Sequence, residues 1–155
     1  MAIQDKKKKP EKVILGKQAK PIVIDVQGAP LGRVCAWAAK QSLNGNSVDI
    51  VNVDLCVITG DPKKIVEVYA KRRHMTQKAN PEHAAKWPRR PDLLFKTIQH
   101  GMLPKRSSRG KAALSRIKVY LGVPAQFAGK AERFKKDPST GISLMEICRA
   151  LGWNK

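Results

Sequence analysis

The spacing of apolar positions changes several times along the chain, and each change marks an element. Ile22-Val23-Ile24-Asp25-Val26 is apolar at nearly every position, the signature of a strand covered on both faces. Gln27-Gly28-Ala29-Pro30 turns the chain. From Leu31 to Leu43 the spacing becomes helical, with Leu31, Val34, Cys35, Ala38 and Ser42 on one stripe, and Asn44-Gly45 ends it. Val48–Val53 reads as a second buried strand. Strand, helix and strand within about thirty residues make a βαβ unit, hence a parallel pair joined by a right-handed crossover.

Further on, Leu55–Thr59 is a short β-prone run. Asp61-Pro62 opens a helix: Asp caps it, and Pro at the first helical position gives up an N–H that has no partner there. Ile65, Val66 and Tyr69 face inward, and the helix runs out into Lys71-Arg72-Arg73-His74. Met75–Arg90 reads as a loop, broken at Asn80-Pro81 and Trp87-Pro88. Pro91-Asp92 starts a short helix through Leu94, Phe95 and Ile98 that ends near Gly101, before Pro104. Lys105–Lys111 reads as a basic loop containing Ser and Gly, followed by a short helix at Ala112–Arg116. Ile117, Val119 and Leu121 alternate with Lys118 and Tyr120, as in a strand with one wet face. Near the C-terminus Ser143 and Glu146 have the capping-box spacing, with Ile142 and Ile147 at the hydrophobic-staple positions and Gly152 placed to stop the helix. The pattern predicts an α/β fold: a small sheet of about four strands, parallel or mixed, flanked by helices.

Charge changes the picture most. The 155 residues carry 31 Lys and Arg against 12 Asp and Glu, a formal net charge of +19. Residues 1–20 contribute +5, residues 21–60 −1, residues 61–100 +6 and residues 101–155 +9. A near-neutral apolar block therefore sits inside a cationic chain. So large an excess repels itself in a compact state unless a polyanion neutralises it. Nucleic acid is the matching partner, because each phosphate neutralised by Lys or Arg releases a condensed counterion. An anionic membrane surface is the rival, but no amphipathic helix sets bulky apolar residues against a Lys face. No apolar stretch reaches the roughly 18 residues of a membrane span, and no apolar region follows the Lys-rich N-terminus, so neither a span nor a secretory signal is expected.

Little of the sequence points to catalysis. Gly28 and Gly32 in the first turn are spaced G-x-x-x-G with Pro30 between them, not G-x-G-x-x-G, and no phosphate-binding loop of the Walker type occurs. A nucleotide-binding domain or small enzyme built on the βαβ unit is the alternative reading, weaker than glycines that serve a tight turn. His74, His83 and His100 have no Cys, His or carboxylate partner at metal-site spacing. Cys35, Cys56 and Cys148 form no C-x-x-C pair and fit free thiols in a reducing compartment. No cofactor, metal or small-molecule substrate is expected.

Three basic clusters remain: Lys71–His74, Lys86-Trp87-Pro88-Arg89-Arg90 and Lys105–Lys111. The bland reading is a solvated helix end and two exposed loops. Against it stand the many arginines, whose planar forks pair phosphate bidentately. Trp87, set between cations, is open to two readings, a platform for an unpaired base or a core anchor for its loop. No helix-turn-helix, zinc finger or aromatic RNA-recognition pair is visible, so binding to folded RNA by loops and tails fits better than sequence-specific reading of DNA.

Gly101-Met102-Leu103-Pro104-Lys105, followed by Arg109 through Pro124, resembles the hallmark of the universal large-subunit ribosomal protein L-thirteen family. Ile24-Asp25, Gly28, Leu31-Gly32-Arg33, Ala38-Ala39-Lys40, Val51-Asn52-Val53 and Val57-Ile58-Thr59-Gly60 agree in the family's order, so the resemblance covers roughly residues 22–124. Arg90-Pro91-Asp92 and Leu151-Gly152-Trp153 are similar to the archaeal and eukaryotic branch, and the short C-terminal helix is archaeal-like. His100 stands where the family commonly has Arg, and the tail is longer than expected of archaeal members. The resemblance implies a three-layer α/β/α domain at 21–124 that binds large-subunit rRNA and assists its folding, flanked by a basic tail at 1–20 and an extension with a short helix at 125–155. It implies a cytoplasmic ribosome, neighbouring large-subunit proteins as further partners, and no catalysis. The expected RNA-binding residues are Arg72, Arg73, His74, Arg89, Arg90, His100, Gly101, Met102, Pro104, Lys105, Arg106, Arg109 and Lys111, with Lys6, Lys7, Lys8 and Lys9 as a tail clamp. Gly101 and Pro104 are expected to shape their loop so that its backbone reaches the RNA.

Overall fold

The computed structural model describes residues 21–84, 86–134 and 140–154. The Lys6–Lys9 tail lies outside these residues. Four parallel strands form the main sheet: β1 (Ile22–Asp25), β2 (Val48–Val51), β4 (Ile117–Val119) and β5 (Glu132–Arg133), in the order β4-β2-β1-β5. Among the described residues five helices surround it: α1 (Leu31–Leu43), α2 (Pro62–His74), α3 (Pro91–Gly101), α4 (Ser108–Ser115) and α5 (Leu144–Ala150). This is the three-layer α/β/α architecture expected, with the sheet parallel throughout. A second, two-stranded antiparallel sheet pairs β3 (Val57–Thr59) with β6 (Gly141–Ser143).

The predicted βαβ unit is β1-α1-β2, in register from Ile22↔Val48 to Asp25↔Val51. All four residues of β2 are buried, as expected of a strand covered on both faces. Val48 and Ile50 share one buried cluster with Val34, Cys35 and Ala38 of α1 and with Leu94 and Phe95 of α3. β2 is shorter than its apolar run: Asn52 adopts a left-handed backbone (φ 59°) and leaves the sheet. The Asn52 carboxamide donates to Asp25 Oδ1 (2.8 Å), which fixes the turn across the strand ends.

Local signals hold where a cap decides the boundary. Asp61 accepts the Lys63 N–H at the start of α2, and the Ser143–Glu146 capping box closes in both directions at 3.2 Å. At the end of α5, Gly152 (φ 84°) donates to Arg149 O while Trp153 donates to Cys148 O. A residue with a Cβ is strained in that left-handed position, so glycine sits there. α1 ends the same way at Gly45.

Two elements differ from expectation. The helix predicted from Ala112 begins at Ser108, because Ser107 Oγ accepts the Gly110 N–H and caps it (3.1 Å). α2 has no fully buried residue, and Ile65, Val66 and Tyr69 are only half-buried. The segment after residue 124 supplies β5 to the main sheet and Leu144, Ile147 and Cys148 to the buried interior. All three cysteines are free and buried. Burial pushes the Cys56 and Cys148 thiols up to about 12, and Cys35 also rises by burial.

Candidate nucleic-acid interface

The first two basic clusters are built as one unit. Tyr69 of α2 meets Trp87 edge to face, with ring centroids 6.2 Å apart. The Arg72 guanidinium lies over both rings, 5.6 Å from Tyr69 and 5.2 Å from Trp87. Arg73 is half-buried, and its Nη1 donates to the Trp87 carbonyl. Of the two readings of Trp87, the structure supports the anchor: the indole is half-buried and packs against the hydrophobic core. Lys71, Arg72 and His74 are exposed, and Lys71 pairs with Glu67 one turn earlier (2.7 Å).

Nearby, Lys86, Arg89 and Arg90 are exposed. Arg90 forks onto Asp92 through two contacts, Nε–Oδ1 at 3.1 Å and Nη2–Oδ2 at 2.7 Å. Much of its charge is therefore answered within the chain. Asp92 also lies in the first turn of α3, where the helix dipole favours a negative group. The Arg89 guanidinium lies against Gly152 at the end of α5.

The third cluster is anchored elsewhere. His100 and Gly101 close α3 and are exposed, as are Met102, Pro104, Lys105 and Arg106. Leu103 between them is buried and pins the turn to the core. The close approach that only a glycine allows lies at Gly110. A Cβ at Gly101 meets open space, whereas one at Gly110 would overlap the Pro104 carbonyl. α4 thereby lies hard against the turn that precedes it. Arg109 donates to Leu43 O (3.3 Å) and Arg116 to Ser42 O (3.2 Å), two cations on the carbonyl end of α1, where the dipole favours them. Lys105, Arg106 and Lys111 are exposed and have no carboxylate partner among the described residues.

Sequence reasoning missed part of this surface. Lys96 of α3 and Lys118 of β4 flank Lys111 around one cavity, together with Gln99. Lys118 was legible as the wet face of its strand, but nothing in the order of residues places it beside Lys96. Beside Lys118, its register partner Asp49 is buried, with Oδ1 unpartnered among the described residues. Burial raises the Asp49 carboxyl above its ordinary value, and Lys118 opposes that only in part.

The arrangement offers cations mounted on packed elements. No helix among the described residues is long and apolar enough to cross a membrane. Residues 19–126 match the family model described as Ribosomal protein L13. The chain belongs to that family. It is 37% identical to the Large ribosomal subunit protein uL13 of Aeropyrum pernix over 91% of this chain and 96% of that one. To the proteins of the same name from Natronomonas pharaonis and Methanocaldococcus jannaschii it is 36% identical, over 86% and 84% of this chain and 92% and 96% of theirs. The family resemblance read at roughly 22–124 is thus borne out, as is its archaeal character. Ribosomal proteins of this family are structural rather than enzymatic, which bears out the reading of a chain without catalysis.

Proposed function

We propose that this chain is a structural constituent of the large ribosomal subunit that binds folded large-subunit rRNA and assists subunit assembly. Its place of work is the cytoplasmic ribosome, beside neighbouring large-subunit proteins. The observation that carries the reading is the mounting of the third cluster. Lys105 and Arg106 on the turn and Lys111 on α4 reach solvent unpaired among the described residues, held by buried Leu103 and by Gly110 against Pro104. Exposed cations on a preorganised backbone suit phosphates fixed in folded RNA, since little entropy is lost on docking. Arg72, Arg89, His74 and His100 extend the contact, Gly101, Met102 and Pro104 offer backbone and apolar surface beside it, and the Lys6–Lys9 tail clamps a further phosphate run. Arg73, Arg90 and Arg109 keep part of their hydrogen-bonding capacity for the fold and contribute mainly charge.

Salt titration of binding to large-subunit rRNA fragments tests this. With about 6–10 phosphates engaged, affinity falls about 10³–10⁵-fold between 50 and 200 mM salt. Association that ignores salt overturns the mechanism. In cell extract the chain is expected to sediment with the large subunit, and its loss from that peak at moderate salt, with other core proteins retained, counts against it.

A further inference from the structure

Between α3, α4 and the edge strand β4 lies an open cavity of about 440 Å³, with Lys96, Gln99, Lys111, Leu114, Ile117 and Lys118 in its lining. Gln99 is fully buried. Neither Oε1 nor Nε2 of its carboxamide has a hydrogen-bond partner among the described residues. Packing alone does not account for this residue, because leucine would fill a similar volume and leave no orphaned polar atoms. The carboxamide sets a donor and an acceptor side by side, the fork that pairs with the N6–H and N7 of adenine. Leu114 and Ile117 offer apolar surface to a base, and three lysines from three different elements bring positive charge to one opening. Asp49 of the neighbouring strand β2 is the carboxylate nearest in register, beside Lys118, and it is buried.

We propose that this cavity takes an unpaired adenine nucleotide of RNA, its base edge on the Gln99 carboxamide and its phosphates against Lys96, Lys111 and Lys118. The inference rests on the RNA-binding reading above and deepens it: phosphates position the chain, and one unstacked base is read. The Gln99 carboxamide is already removed from water, so pairing with a base restores two hydrogen bonds without a new desolvation cost on the protein side. Both amide atoms are shielded, so docking of the base requires side chains at the rim to shift.

The test uses the full chain, labelled with ¹⁵N and titrated at low salt with adenosine 5′-monophosphate and, separately, with ribose 5-phosphate. The mononucleotide is expected to shift the Gln99 side-chain amide signals together with the Ile117 and Lys118 backbone amides. Ribose 5-phosphate is expected to leave the Gln99 signals in place and to bind at least tenfold more weakly. Gln99→Leu is expected to keep the fold and lose at least tenfold in affinity for the mononucleotide. Equal binding of the two probes, or unchanged binding by Gln99→Leu, overturns the proposal. The probe contrast on the unaltered chain decides the matter even if the variant fails to fold. If Gln99 does not respond while rRNA binding keeps its salt dependence, the pocket falls and the broader reading stands. If the mononucleotide binds but rRNA does not, the broader reading falls and takes the RNA part of this inference with it.

Discussion

Arg73 and Arg109 each donate to a backbone carbonyl far along the chain, yet the regions around them do different work. At the end of α2 two cations are engaged within the chain: Arg72 covers Tyr69 and Trp87, and Arg73 holds the Trp87 carbonyl. That region fastens a long loop to a helix with no fully buried residue of its own. At the start of α4, Arg109 ties the helix to the end of α1, while Lys105, Arg106 and Lys111 remain exposed. A run of positive charge is therefore not a functional unit. What decides its role is the set of acceptors the fold brings within reach.

Five outcomes break or sharpen that contrast, and the largest concerns the tight packing under the third cluster. Gly110→Val forces a side chain into the Pro104 carbonyl, so about 1–3 kcal/mol of stability should be lost through overpacking, read by denaturant unfolding. An unchanged unfolding midpoint would mean that the turn does not depend on this contact. Next, Arg72→Ala with Arg73→Ala should cost about 2 kcal/mol, from the lost cation–aromatic stack and a half-buried hydrogen bond. Lys105→Ala with Arg106→Ala should leave stability unchanged and lower the salt slope of rRNA binding by about two. If the two double variants behave alike, the distinction between the regions is lost.

Ser143→Ala should cost about 1 kcal/mol by opening the capping box of α5, measured by thermal unfolding. Asp49→Asn carries the smallest effect and a definite sign. The folded-state pKa of Asp49 is raised, so its ionised form is disfavoured on folding. Its contribution is fully present below the ordinary carboxylate range and is lost as pH rises through the raised value. Asp49→Asn should therefore be the more stable form at pH 7 in thermal unfolding, with the difference vanishing in acid. A variant less stable than the parent at pH 7 would show that Lys118 outweighs burial.

Much of the fold was legible because its signals are short-range. Apolar spacing gave β1, α1 and β2, and caps at Asp61, Ser143 and Gly152 placed three helix ends. β5 and β6 left no such mark. Glu132–Arg133 is polar, and it becomes a strand only because the open edge of β1 supplies partners. The candidate site was legible as composition and not as geometry. Arg73 and Arg90 read as free cations, whereas Trp87 O and Asp92 occupy them. Gln99 reads as an ordinary helical residue, and its isolation appears only when α4 and β4 close around it.

By itself, the order of residues determined the α/β class, the βαβ unit and the cationic surplus, since periodicity, capping and charge are properties of neighbours in the chain. Tertiary structure decided which cations stay free, which glycine carries the tight turn and which lysines share one cavity. Those depend on distances between residues far apart in sequence, such as Arg109 and Leu43, and only the folded backbone sets them.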